Sequence, residues 1–148
     1  MTRGGERERG SLSLEAALLT PALVLVLVLG IVFGRIAHAG GFVDNAARDA
    51  ARAASLERDA TSARIAAAKV AGDDLSGQNL RCLTWSLAIT TAGFSAALGA
   101  PASTTAVVTC TVRLSDIGMP GLPGTKTLRS QFTSPLDAYR QRPSQGLA

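Results

Sequence analysis

The sequence predicts an α+β protein with a single N-terminal transmembrane helix, an alanine-rich helix and a small antiparallel sheet. An uncharged apolar run extends from Ala16 to Gly34. A stretch rich in alanine and arginine and free of proline follows from Phe42 to about Gly72, a composition that favours helix. Beyond it the apolar residues alternate with polar ones, which is typical of half-buried strands. A chain of 148 residues has room for the membrane helix and one small domain.

The first ten residues are predicted to be a cytoplasmic leader, and residues 11–34 a transmembrane helix. From Ala16 to Gly34 only Thr20 is clearly polar. As a helix this run is ~28 Å long, about the thickness of the hydrocarbon core of a bilayer. Pro21 removes one backbone hydrogen bond, a loss that Thr20 or a neighbouring helix would offset.

Arginines on both sides of the span bear on its orientation. The leader carries three, and three more follow within twenty residues of the span, so the positive-inside count is equal. The leader is short, however, and beyond Arg35 no arginine or lysine occurs before Arg48. The two cysteines suit an oxidising compartment. We therefore expect a single-pass protein of the cytoplasmic membrane, with its N-terminus in the cytoplasm and its C-terminal domain outside.

Residues 35–77 are predicted to form an extracytoplasmic helix. Gly40 and Gly41 predict a flexible joint at its start, and Asp73, Asp74 and Gly77 its end. Small side chains let helices approach closely, which predicts a helix-packing surface. Its residues are Asn45, Ala46, Ala47, Arg48, Ala50, Ala51 and Arg52. That surface would pack in a filament or multi-helix complex or, as an alternative, against the β-domain of the same chain.

Residues 78–148 are predicted to form a small β-rich domain with a flexible tail. The apolar positions of its predicted strands are Leu83, Trp85, Leu87 and Ile89 in the first, Val108, Cys110, Val112 and Leu114 in the second, and Leu128 and Phe132 in the third. Loops are expected at residues 93–105 and 118–124, which are rich in glycine, proline and small residues.

Cys82 and Cys110 stand at the start of the first predicted strand and within the second. Paired, they would close a loop of 29 residues, a constraint of about 3 to 4 kcal/mol in the chain-entropy model. Sequence alone leaves two buried free thiols as the alternative.

The residues that enzymes use are sparse. His38 is the single histidine and lies next to the membrane. Two cysteines with one histidine do not make a zinc site, and the glycine-rich turn at residues 118–124 lacks the lysine of a phosphate loop. The net charge of +4 comes from scattered arginines, without the aromatic platform of a nucleic-acid binder. We expect no enzyme activity, no metal, no cofactor and no nucleic acid.

The N-terminal region carries a recognisable processing pattern. Gly10 ends a charged leader, R-G-G-E-R-E-R-G, and Glu15 stands five residues later in the apolar segment. This arrangement resembles the type IV prepilin processing signal. Together with Pro21, the G-R exit at Arg35 and the block V-D-N-A-A-R-D-A-A-R-A-A at residues 43–54, it resembles the TadE-like family, pseudopilins of the tight-adherence (Flp) pilus system. The resemblance is dense over residues 9–54 and loose beyond them.

The resemblance implies a role and a set of partners. A prepilin peptidase would cut after Gly10, and Glu15 would pair with the new amine of Ser11 on a neighbouring subunit. Otherwise the Glu15 carboxylate reaches the headgroups. The partners would be the cytoplasmic membrane, the peptidase, other pilins or pseudopilins and the pilus assembly platform. The family's major pilin is much smaller, so the chain would be a minor component or assembly factor of the pilus or of a related secretion system.

Two other functions fit parts of the sequence. The tripeptide A-H-A at residues 37–39 resembles the cleavage site of a secretory signal peptide, and cleavage after Ala39 would release a secreted binding protein. A minor pilin of DNA uptake would need a basic sheet surface, for which Arg113 and Arg129 are the candidates.

Overall fold

The computed structural model describes residues 5–78, 80–117, 121 and 123–139, with side chains from Ala16 onward. Two helices precede three strands: α1 (Gly5–Leu56), α2 (Ala60–Gly77), β1 (Cys82–Thr90), β2 (Ala102–Arg113) and β3 (Thr125–Leu136). A short 3-10 helix, Ala92–Ser95, lies between β1 and β2. The sheet has the order β1-β2-β3, with both pairings antiparallel. The predicted α+β fold is confirmed.

The chain divides into two compact units. The first is Met1–Arg35, and its described residues belong to α1. The second is Ile36–Ala148 and contains the rest of α1, α2 and the sheet.

The predicted flexible joint at Gly40 and Gly41 is wrong, because α1 continues through both residues. A glycine inside a helix costs about 1 kcal/mol relative to alanine. Tertiary packing offsets this cost here, since Ala39 and Val43 on either side are buried in the core and most helical stability in proteins comes from such packing. The helix also begins at Gly5, within the predicted leader, so the backbone does not change at residue 10.

The single helix predicted over residues 35–77 is in fact two helices separated by residues 57–59. Asp59 ends the break as the N-cap of α2, with an extended backbone and a carboxylate that accepts hydrogen bonds from the N–H groups of Thr61 and Ser62. These bonds satisfy donors that the first turn of a helix leaves unpaired, and they lower the pKa of Asp59. The break lets α2 return along α1, so that both helices cover the sheet.

The core lies between this helix pair and one face of the sheet. The helices contribute mainly alanines, and the sheet contributes larger side chains from its central strand, namely Val108, Cys110 and Val112. Alanines of α1 and α2 at spacings of three and four residues are fully buried, as expected for one face of a helix. Small side chains on the helices and branched ones on the strand allow close packing.

The first predicted strand forms, but its apolar side chains are less buried than alternation implied. Leu83 and Trp85 are each 44% exposed. A register shift between Cys82 and Thr84 moves Leu83 out of the alternating pattern, because a bulge inserts an extra residue. Trp85 lies on the core face opposite Cys110, but β1 is an edge strand, so the ring remains partly exposed.

The other sequence-predicted strands are longer than their apolar patterns. The predicted loop at residues 93–105 contains the short 3-10 helix, and β2 already begins at Ala102. Residues 118–120 and 122 of the predicted glycine-proline turn, and 140–148 of the predicted tail, lie outside the described residues.

Candidate functional site: the membrane anchor and the helix after it

One described helix is long and apolar enough to cross a membrane by its length and composition, and it belongs to the N-terminal part of α1. Except for Val32, its large apolar side chains are exposed over residues 18–33, with Leu18 71% and Phe33 66% exposed. A helix that is apolar on all sides is suited to a hydrophobic environment rather than to water. It is a candidate membrane anchor at the predicted position.

Thr20 and Pro21 modify the backbone of this segment. The Thr20 hydroxyl donates to the carbonyl oxygen of Ala16 at 2.6 Å. Pro21 lacks the N–H that would bind the carbonyl of Ala17, four residues earlier. Of the two compensations expected from the sequence, the one by Thr20 does not occur at the Ala17 carbonyl, because the hydroxyl binds Ala16 instead. Compensation by a neighbouring helix stays a prediction.

The predicted processing residues Gly10, Ser11 and Glu15 belong to α1 by their backbone. Their side chains lie outside the described part of the chain. Cleavage after Gly10 and pairing of Glu15 with the Ser11 amine stay predictions.

The alanines of the predicted helix-packing surface are packed within the chain. Ala46, Ala47, Ala50 and Ala51 are all fully buried. The other three members of that surface, Asn45, Arg48 and Arg52, are exposed. The burial of the alanines matches the alternative in which the helix lies on its own β-domain. Only the exposed residues of the surface are accessible to another subunit.

A polar seam joins α1 to β3. The Ser130 hydroxyl donates to Asp44 Oδ1 at 2.7 Å, and Asp44 Oδ2 accepts from Arg48 at 3.3 Å. The Arg48 guanidinium lies over the Phe132 ring, 5.2 Å from its centroid. Asp44 and Arg48, four residues apart on α1, thus form an ion pair. Its larger role is to connect helix and strand, because the bond from Ser130 is charge-assisted and the ion pair is half exposed and weak.

Cys82 and Cys110 form a disulfide, with sulfurs 2.04 Å and Cα atoms 5.5 Å apart. The bridge connects β1 to the central strand, and Cys110 is fully buried. The pairing expected from the strand pattern is confirmed.

Asp74 is a site that sequence reasoning missed. It lies in α2, and its Oδ2 atom is buried without a hydrogen-bond partner among the described residues. Burial raises the pKa of Asp74, and the negative charges of Asp49 on α1 and of neighbouring Asp73 raise it further. Asp73 itself is exposed and paired with Lys69 at 2.7 Å, which raises the lysine's pKa.

The remaining candidates are dispersed. His38 is exposed on α1, and no group of three potential metal ligands occurs among the described residues. Arg113 and Arg129 are exposed at β2 and β3, on the sheet face away from the helices. Ala39, the residue before the alternative cleavage position, is within α1 and only 4% exposed.

Comparison with known proteins finds a family match in the N-terminal part of the chain. The family model described as TadE-like protein matches residues 10–52, which include the candidate anchor and α1 as far as Arg52. The resemblance drawn from the sequence is confirmed over this segment, and the matched family is one associated with the tight-adherence pilus system. The family is a structural one that is not known for catalysis. No curated protein and no solved structure matches the chain.

Proposed function

We propose that this chain, with its TadE-like segment at residues 10–52, is a membrane-anchored pseudopilin of a tight-adherence pilus or related secretion system. The observation that carries the proposal is that the matched residues form part of one unbroken helix. The first part of that helix is apolar and exposed, and the part after Arg35 contributes alanines to the core of the α+β unit. The helix thus supplies both an anchor and the base of an extracytoplasmic domain.

Two features support a cytoplasmic N-terminus. The leader places Arg3, Arg7 and Arg9 close before the span, where the positive-inside rule favours the cytoplasm. The Cys82–Cys110 bridge suits the oxidising side of the membrane. Alkylation of free thiols in denatured membranes should label Cys82 and Cys110 only after reduction. Protease digestion of spheroplasts reports on the orientation independently, and digestion of the β-domain only after lysis would contradict it.

Processing after Gly10 is the first test. Glycine has no side chain, so the scissile backbone can approach a peptidase closely, and Gly10→Val should keep its full mass in cells that process the parent. Gly5→Val is the matched control, since it changes a leader glycine away from the cleavage position and should be processed normally. N-terminal sequencing of the parent should begin at Ser11, and loss of the ten leader residues from Gly10→Val would contradict the proposal.

Recruitment through Glu15 is the second test. Glu15→Gln makes the span less costly to insert but removes the proposed partner of the Ser11 amine. We expect normal membrane fractionation and reduced co-purification with the assembly platform. Glu8→Gln removes a carboxylate that would be lost with the leader, and it should leave recruitment unchanged. Equal recruitment of Glu15→Gln and the parent would contradict the pairing and favour a carboxylate that reaches the headgroups.

The position of Ala39 argues against release as a secreted binding protein. Cleavage after Ala39 would divide α1 inside the residues that match the family and remove a buried residue of the core. The basic surface of a DNA-uptake pilin is also limited, because Arg113 and Arg129 are separated on the sheet. We favour a minor component or assembly factor of the pilus.

A further inference from the structure

The two edges of the sheet differ in the features that prevent strand pairing. β3 carries Lys126, Arg129 and Pro135, and charged residues and proline are the usual means of blocking an edge. β1 has the sequence C-L-T-W-S-L-A-I-T, with neither a charge nor a proline over nine residues. Among the described residues, no backbone hydrogen bond connects β1 to any strand other than β2. Within the described part of the chain, the outer edge of β1 therefore presents an open row of backbone donors and acceptors.

An apolar strip accompanies this open edge. Trp85, on the core face of β1, is 44% exposed, and Ile65 on α2 is 66% exposed. Gly72 of α2 faces the Trp85 ring, and a Cβ atom added at Gly72 would lie 3.6 Å from it. Ile65 precedes Gly72 by seven residues, two helical turns, and so occupies the same face of α2. A strand beside β1 would find apolar contacts on this side of the sheet and the hydroxyls of Thr84 and Ser86 on the other.

The edge is also held firmly enough to accept a partner. The disulfide fixes Cys82 of β1 to the central strand, and Arg64 of α2 donates to the Thr91 hydroxyl just beyond the other end of β1, at 3.0 Å. Both ends of the strand are thus connected to the domain, so that an added strand would extend the sheet rather than displace β1.

We propose that β1 is a docking edge for strand addition, and that its occupant is an extended, uncharged segment of another protein with alternating apolar and hydroxyl side chains. Backbone hydrogen bonds would supply affinity and the alternate side chains specificity, as in known cases of β-augmentation. The inference rests on the proposed function in one respect, which is that we expect the partner among the other subunits of the pilus system.

A second copy of the chain is a poor occupant. α1 runs in the same direction as β3, since Asp44 contacts Ser130 and Ser55 contacts Ser134, and β1 is parallel to β3 because both are antiparallel to β2. The closed pairing of two identical edges is antiparallel about a two-fold axis. It would place the two Ile36 residues, where each chain arrives from its span, at opposite ends of the pair. Only Arg35 separates each Ile36 from the proposed span, so both ends of the pair would have to meet the surface of the same membrane.

The experiment uses a photo-reactive residue at position 86, on the exposed side of β1, in the full chain expressed with the complete pilus system. We expect a covalent adduct whose cross-linked peptide, identified by mass spectrometry, is an uncharged strand-forming segment of another protein. Ala88→Lys places a charge on the open edge and should reduce the adduct at least 10-fold. Gln131→Lys is the matched control, because Ala88 and Gln131 both lie opposite Val107 and are both exposed. It should leave the yield unchanged.

Other outcomes would overturn the inference. No adduct, an adduct to β1 of a second copy, or a yield that Ala88→Lys does not reduce would each do so. Correct folding of both lysine variants is verified by the absence of free thiols at Cys82 and Cys110. A chain that co-purifies with the assembly platform but forms no strand adduct overturns only this inference. A strand adduct with a protein outside the pilus system overturns only the proposed function.

Discussion

Breaking the disulfide should destabilise the sheet domain by about 3.6 kcal/mol. The bridge closes a loop of 29 residues, counted inclusively from the sequence separation of 28 (28 + 1) between Cys82 and Cys110. For that length the chain-entropy relation gives about 12 cal/mol/K, which is about 3.6 kcal/mol at 25 °C. Small domains are stable by only about 5–15 kcal/mol in total, so the bridge contributes a large share of the net stability.

Urea unfolding of the full chain in detergent micelles measures this contribution. Trp85 is the single tryptophan and lies opposite Cys110 in the register, so its fluorescence reports on the bridged strands. With an m-value of about 1.5 kcal/mol/M, reduction should lower the unfolding midpoint by about 2.4 M.

A variant without either cysteine provides the control. Cys82→Ala/Cys110→Ala should unfold close to the midpoint of the reduced parent, and reductant should not change it. A small further loss is expected because Cys110 is fully buried and alanine fills less space. A midpoint shift below about 0.5 M on reduction of the parent would refute the argument, since the loop would then be constrained in the unfolded chain without its bridge.

Three further variants test electrostatics and backbone geometry by the same urea assay. Asp74→Asn should be more stable than the parent at neutral pH, because the folded pKa of Asp74 is raised above the ordinary value of 3.8. A carboxyl group whose pKa is raised on folding destabilises the protein at pH values where it is ionised. The stability gained by Asp74→Asn should therefore decrease as the pH is lowered and vanish below pH 3.8, where the carboxyl is protonated in both the folded and the unfolded state. A gain that does not change with pH would contradict this cause. Gly93→Ala should be destabilised, since a Cβ there would clash with the backbone oxygen of Ser103. Gly41→Ala should gain up to about 1 kcal/mol, because its Cβ would meet nothing within 4 Å, and a loss instead would contradict a continuous helix.

Local periodicity predicted the types and order of the elements. The nineteen uncharged residues from Ala16 to Gly34 indicate a candidate span regardless of the sequence that follows. The alternation on β2 correctly places Val108, Cys110 and Val112 on one face. The disulfide could be anticipated because Cys82 and Cys110 stand on two strands that are neighbours in sequence, and such strands usually pair. These features depend on short segments, so a single sequence contains the information.

Features that depend on tertiary contacts were predicted less well. The continuity of α1 through Gly40 and Gly41 depends on the burial of Ala39 and Val43. Helix propensity is a local quantity and does not include such burial. The break after Leu56 had a local signal, because Asp59 is a preferred N-cap residue, but the alanines on either side concealed it. The exposure of Trp85 follows from the position of β1 at the edge of the sheet, which alternation cannot indicate.

The burial of the alanine block changes what the family match implies for assembly. Ala46, Ala47, Ala50 and Ala51 fall within the matched residues 10–52, but they are covered by α2 and the sheet of the same chain. In the proposed assembly, contacts with other subunits through this helix would therefore use its outward side, where Asn45 and Arg52 are exposed. Arg48 is already engaged by Asp44 and Phe132. Apart from its candidate anchor, the matched segment would present a polar surface to the proposed partners, and the proposed docking edge of β1 would be a second surface outside the matched residues.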